Sequence, residues 1–76
     1  MQTVKVVRAF THGTNVQLLC ADERGLLSVY FEYKRFNLFL RSLQKTGLAL
    51  NGLSISFDRN TVRVPVLGKH SDYALN

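Results

Sequence analysis

The chain has 76 residues, 46% of them apolar and 20% charged, which describes one domain of ordinary globular composition rather than a disordered chain. Ten Lys and Arg against five Asp and Glu give a net charge of +5, enough to attract polyanions without saying which. The single cysteine, Cys20, excludes an internal disulfide framework, no apolar run approaches the ~20 residues of a membrane-spanning helix, and no charged-then-apolar leader opens the sequence, so a soluble cytoplasmic protein is expected.

Thr3 to Ala9 is rich in valine and reads as a strand. Val4 and Val6 fall on one side, while Val7 and Ala9 join Lys5 on the other, which suits a central strand or one covered on both faces. Residues 11–15, Thr-His-Gly-Thr-Asn, supply turn chemistry, and Val16 to Ala21 forms a second strand apolar on both faces. Asp22, Glu23, Arg24 and Gly25 make a charged turn closing on glycine, so the first three strands are expected to run as a meander. Leu26 to Tyr33 admits two readings. Its valine and aromatics favour a strand, with the helix starting near Lys34; alternatively Ser28 caps a longer helix running to Thr46. The strand reading is preferred, because three aromatics among four positions crowd a helix more than a pleated sheet.

The stretch from Lys34 to Thr46 is the clearest helix. Phe36, Phe39, Leu40 and Leu43 recur at helical spacing as an apolar stripe, and Lys34, Asn37, Arg41, Gln44 and Lys45 fall on the opposite side. Gly47 ends it, with Lys45 placed to favour the C-terminal dipole. After a connection over 48–52, Leu53, Ile55 and Phe57 alternate with Ser54, Ser56 and Asp58, and Val62, Val64 and Val66 alternate with Thr61, Arg63 and Pro65. A two-residue turn at Arg59-Asn60 places the apolar sets on one face, Phe57 opposite Val62 and Ile55 opposite Val64. Pro65 lacks a ladder donor, which marks this last strand as an edge. Residues 68–76 lack periodicity and read as a flexible tail beyond a domain spanning 1–67. The expected fold is α+β, with an antiparallel sheet in the order βββα-ββ and one amphipathic helix at 34–46; the pattern leaves the curvature open, up to strong bending or a partly closed barrel.

Catalytic chemistry is not indicated. Cys20 lies well along the strand that leaves the turn carrying His12, too far for a thiol–imidazole pair, and it reads as a buried core residue. His70, Ser71 and Asp72 are neighbours in the expected tail, whereas a triad converges from separate elements. Asp22 and Glu23 share a turn tip, where water keeps both ordinary. No glycine-rich phosphate loop precedes the helix, and two histidines and one cysteine do not cluster as metal ligands, so no enzyme, metal or cofactor is expected.

Two binding readings remain. In the first, Lys34, Arg35, Arg41 and Lys45 on the helix, with Arg63 on the polar face of the hairpin, contact nucleic-acid phosphate, and Tyr30 and Tyr33 stack on bases if exposed. In the second, surplus leucines, among them Leu38, Leu48 and Leu50, or an edge strand, dock an acidic or apolar protein surface or a second copy of the chain. A membrane-surface role for the helix is not expected, because it would strip the sheet of its cover.

Overall fold

The computed structural model describes residues 2–66 and 68–76; Met1, Leu67 and the side chain of Val66, which the alternation groups with Val62 and Val64, lie outside the described set. The elements follow as β1 (Gln2–His12), β2 (Asn15–Asp22), β3 (Gly25–Glu32), α1 (Tyr33–Lys45), β4 (Ser54–Phe57), β5 (Thr61–Val66) and β6 (Lys69–Ala74). Neighbouring strands are all antiparallel and lie in the spatial order β3-β2-β1-β4-β5-β6, a single sheet that is not closed. The fold is α+β as expected, with a meander over β1–β3.

The stretch at 26–33 resolves in favour of the strand. β3 runs in register with β2 from Asp22–Gly25 to Asn15–Glu32, and the helix begins at Tyr33. Glu32 precedes the helix without a side-chain cap. The backbone is satisfied from elsewhere: the Tyr33 N–H donates to the Thr14 carbonyl at 2.8 Å and the Glu32 N–H to the Leu75 carbonyl at 2.7 Å. At the other end Gly47 adopts φ 73°, its N–H donates to Gln44 O at 3.2 Å, and the Leu48 N–H reaches back to Leu43 O at 2.9 Å. That is a Schellman closure, which sets Leu48 against Leu43 in the apolar contact such a turn brings with it.

The sheet wraps the helix. Phe36, Phe39 and Leu43 are buried against Val4, Val6, Val16, Leu18, Val29, Phe31, Ile55, Val62 and Val64 on the concave face. Phe39 stacks on Phe31 of β3, ring centroids 5.1 Å apart, and meets Tyr73 of β6 edge-on, also at 5.1 Å. β3 and β6 are the two edges of the sheet, so one helical aromatic joins both. The Tyr73 hydroxyl shares a hydrogen bond with the Ser42 hydroxyl, tying β6 to the helix a second time.

Three expectations are corrected. Residues 68–76, expected as a flexible tail, carry β6, which pairs along β5 from Thr61–Ala74 to Val66–Lys69. Its run of Lys69, His70, Ser71 and Asp72 is exposed, as suits an edge strand, and only Tyr73 and Leu75 pack inward, so no apolar period announces it. β5 is therefore not an edge. Pro65 fits because β5 pairs with β4 only at Phe57–Val62 and Ser56–Arg63; the ladder on that side ends before the residue without an N–H, while the rung Pro65–His70 continues with β6. The turn at Arg59-Asn60 and the Phe57–Val62 rung are as expected, and the Asp58 N–H donates to Thr61 O at 2.9 Å.

The third correction is in β1. The register against β2 slips between Val6 and Arg8, so Val7 is an extra residue in a bulge. Before it, Val4 and Val6 point inward and Lys5 outward. After it the parity is reversed: Ala9, opposite Leu18, packs against the core, and Arg8, opposite Leu19, and Phe10, opposite Gln17, share the outer face with Lys5. The expected grouping of Ala9 with Lys5 is overturned by that one inserted residue.

Phe39 is fully buried and Leu38, its neighbour, is 55% exposed. Phe39→Ala is expected to cost about 3–5 kcal/mol in urea or thermal unfolding, and Leu38→Ala to stay within about 0.5 kcal/mol. Equal losses in the two variants would contradict this packing.

Candidate nucleic-acid interface

On α1, Lys34, Leu38, Arg41 and Lys45 follow at intervals of four, three and four residues and form one exposed line opposite the buried stripe. The line is about 16 Å long at 1.5 Å per residue. Arg35 is exposed beside it, and α1 contains no Asp or Glu. The only ion pair among the described residues is Arg63–Asp72, so none of these four cations is neutralised by a carboxylate. Lys45 lies in the last turn, where the helix dipole favours it, but Lys34 and Arg35 lie in the first turn, where the dipole opposes them and adds to their positive potential.

Arg63 does not join this group. It lies in register between Ser56 and Asp72 on the outer face of the sheet, alternating with the buried Val62 and Val64 that face the helix layer. Its guanidinium donates to Asp72 through Nε at 2.8 Å and a terminal nitrogen at 3.1 Å. These bonds hold the Asp72 carboxyl below the ordinary carboxylate range and push the Arg63 pKa up. The sequence-predicted cations are thus split: four on the helix, and one on the opposite layer with a partner of its own.

Of the leucines chosen as interface candidates, Leu38 is exposed in the middle of the basic line, while Leu48 and Leu50 are half-buried against the core. Among the described residues Leu26 is the most exposed large apolar side chain, at 69%, and Leu27 packs inward. Tyr33 is exposed at the first turn of the helix, beside Thr14 and Lys34.

The bulge in β1 assembles a second surface that sequence spacing did not reveal. On the convex face, away from the helix, Arg8, Phe10 and His12 follow one another along β1. The Arg8 guanidinium lies 4.7 Å above the Phe10 ring, whose centroid is 6.5 Å from that of His12. Across the sheet, Phe10 pairs with Gln17 and Gln17 with Tyr30, which is 55% exposed. His12 Nε2 donates to Gln17 Oε1 at 2.8 Å and Gln17 Nε2 donates to Ser28 Oγ at 2.8 Å, which pins the amide between the two aromatics. Next to Tyr30, Ser28 and Tyr30 form one wall of a cleft of about 650 Å³, with Arg59, Asp58, Leu75 and Gln2 across it. The signal available in the sequence was the Val6-Val7 doublet, where strict alternation fails.

Reactive groups are held apart. Cys20 is fully buried on the concave face, and burial pushes its thiol from 9.0 up to about 11. His12 lies at the far end of the β1–β2 hairpin on the convex face. His70 and Asp72 pair with Pro65 and Arg63, and Ser71, between them, with the inward-facing Val64. Among the described residues no three His, Cys, Asp or Glu side chains gather to hold a metal ion, and no helix is long and apolar enough to cross a membrane. Comparison with protein-family models, curated proteins and solved structures finds no match to this chain.

The buried thiol has a consequence for stability. The unfolded chain releases the Cys20 proton near pH 9.0, while the folded state retains it to about 11, so the contribution is complete below pH 9 and is lost as pH rises through that window. In urea titrations the wild type is expected to lose more stability between pH 9 and 11 than Cys20→Ala does; parallel losses would show that the thiol does not titrate as its burial requires.

Proposed function

We propose that this chain is a small, non-catalytic nucleic-acid-binding protein that holds the phosphate backbone on the outer line of α1. Lys34, Arg41 and Lys45 supply charge along the line and Arg35 flanks it. The observation that carries the reading is the concentration of four exposed cations on one helix that has no carboxylate, two of them placed where they oppose the helix dipole. A stripe of this length spans several phosphates of a strand or duplex, and its neutralisation of phosphate releases counterions. Arg63, with Asp72 already bound, is not part of this contact. The buried, unpaired Cys20 suits a reducing, cytoplasmic setting.

Arg41→Glu with Lys45→Glu is expected to leave the fold intact, because both side chains are exposed, and to weaken binding to a labelled duplex by tenfold or more while flattening its salt dependence. Unchanged affinity in the folded double variant would refute the reading. Lys34→Glu provides a sharper test. It removes a cation from the first turn, so the fold is expected to gain about 0.3–1 kcal/mol while binding falls. A gain in stability with no loss of binding would make the helix charge incidental.

Leu38 favours a second reading. An exposed leucine inside a basic line also fits an acidic protein surface with an apolar recess. Leu38→Gln separates the two. It is expected to leave nucleic-acid affinity within about twofold, whereas a protein contact centred on this side chain would lose tenfold or more.

A further inference from the structure

We infer that the convex face of β1–β3 is a second binding surface, one that takes the unpaired bases of single-stranded nucleic acid on Phe10 and Tyr30. This inference shares only the class of ligand with the helix reading. The two surfaces lie on opposite sides of the sheet, so either can fail alone.

Among the described residues no element covers the convex face, because α1 fills the concave side. An antiparallel sheet with one solvated face ordinarily carries polar residues there. This one instead presents flat, π-bearing side chains: Arg8 laid on Phe10, His12 beyond it, and Tyr30 two strands away, about 10 Å at ordinary strand spacing. Bases stack on aromatic rings and on guanidinium planes whatever their sequence, and a single strand exposes them for that purpose whereas a duplex does not. Between the two rings, Gln17 is held by His12 and Ser28, so the surface is ordered before a ligand arrives.

Charge completes the fit. Lys5 and Arg8 stand on this face without carboxylate partners among the described residues, and Glu32, opposite Asn15, is the carboxylate at its far end. Beyond Tyr30 the cleft leads to Arg59 on the β4–β5 turn, with the Asp58 carboxylate beside it accepting from the Arg59 backbone N–H at 2.6 Å. A strand lying across β1, β2 and β3 thus meets Arg8 and Phe10, then Gln17, then Tyr30, with Arg59 beyond for phosphate and Lys5 farther along β1. The order of contacts, cation, ring, amide, ring, cation, is the combination that sequence-tolerant single-strand binding requires.

The experiment is a fluorescence-anisotropy titration of the intact chain with labelled oligothymidylate, labelled oligouridylate and a labelled duplex at low salt. Phe10→Ala with Tyr30→Ala is expected to weaken binding of both single strands by tenfold or more and to change duplex binding by no more than about twofold. Tyr30→Phe, which retains the ring, is expected to keep single-strand affinity where Tyr30→Ala loses it, and Arg59→Ala to reduce it severalfold. Arg41→Glu with Lys45→Glu is expected to do the reverse, acting mainly on the duplex. A folded Phe10→Ala, Tyr30→Ala variant with wild-type single-strand affinity would overturn the inference, as would single strands that do not bind the wild type at all. A dimer in sedimentation that Tyr30→Ala dissociates and oligothymidylate does not displace would also overturn it, by assigning the face to a second copy of the chain. Loss of duplex binding alone in the helix variant leaves this inference standing and concerns only the helix.

Discussion

Phe39 sits between Phe31 on one edge strand and Tyr73 on the other, and the rest of the molecule follows from that sandwich. Six strands in a single open sheet have two edges and a twisted, solvent-accessible concave face; left flat, so short a chain would bury too little to fold. By accepting ring contacts from both edges, the helix bends the sheet around itself. The Glu32 N–H bonding to the Leu75 carbonyl and the Ser42–Tyr73 hydroxyl pair then join the same edges through polar contacts. The clamp consumes the whole apolar stripe of α1. Only its opposite side remains for a partner, and that side is basic.

The same clamp leaves the convex face bare, and the bulge at Val7 decides what that face displays. Without the inserted residue, Arg8 and Phe10 would continue the inward series of Val4 and Val6, placing a guanidinium in the core opposite Leu18. With it, the core receives Ala9 and the surface receives Arg8 and Phe10. A bulge bends and re-aims a strand at the expense of a local ladder rung. Here the backbone of Val6 is bonded on its other side, its N–H to Leu53 O at 2.8 Å and its carbonyl to the Gly52 N–H at 2.7 Å, which holds the irregular segment in place.

Sequence periodicity made some of this legible. The helix was readable because Phe36, Phe39, Leu40 and Leu43 form a stripe and Gly47 supplies the left-handed residue that closes it. The β4–β5 hairpin was readable because alternation and a two-residue turn fix its register. β6 was not, since an edge strand bound by backbone pairing and one aromatic has no apolar period to display. Pro65 misled for a related reason: it marks where a ladder stops on one side of a strand, which need not be the rim of the sheet. Leu48 lacked a visible place because its partner, Leu43, is set by the helix-closing turn rather than by spacing. Of the site, the helix cations were readable from the 3.6-residue period alone. Arg63 was placed on its strand face without its partner Asp72, since the segment holding Asp72 showed no strand pattern. Ala9 was grouped with Lys5, and Arg8 and Phe10 went unplaced, because one bulged residue inverts every side chain after it.

What unites these features is a division of labour between two faces: a helix that clamps the sheet and offers charge outward, and a sheet whose uncovered side offers rings. Amide chemical-shift mapping of the isotope-labelled chain, titrated first with duplex and then with oligothymidylate, examines that division residue by residue. The predicted result is that duplex moves the resonances of Lys34 to Lys45, and oligothymidylate those of Arg8, Phe10, Gln17 and Tyr30, with the core residues around Phe39 unmoved. Absence of shifts on both faces at low salt, or shifts spread through the core around Phe39, would contradict it.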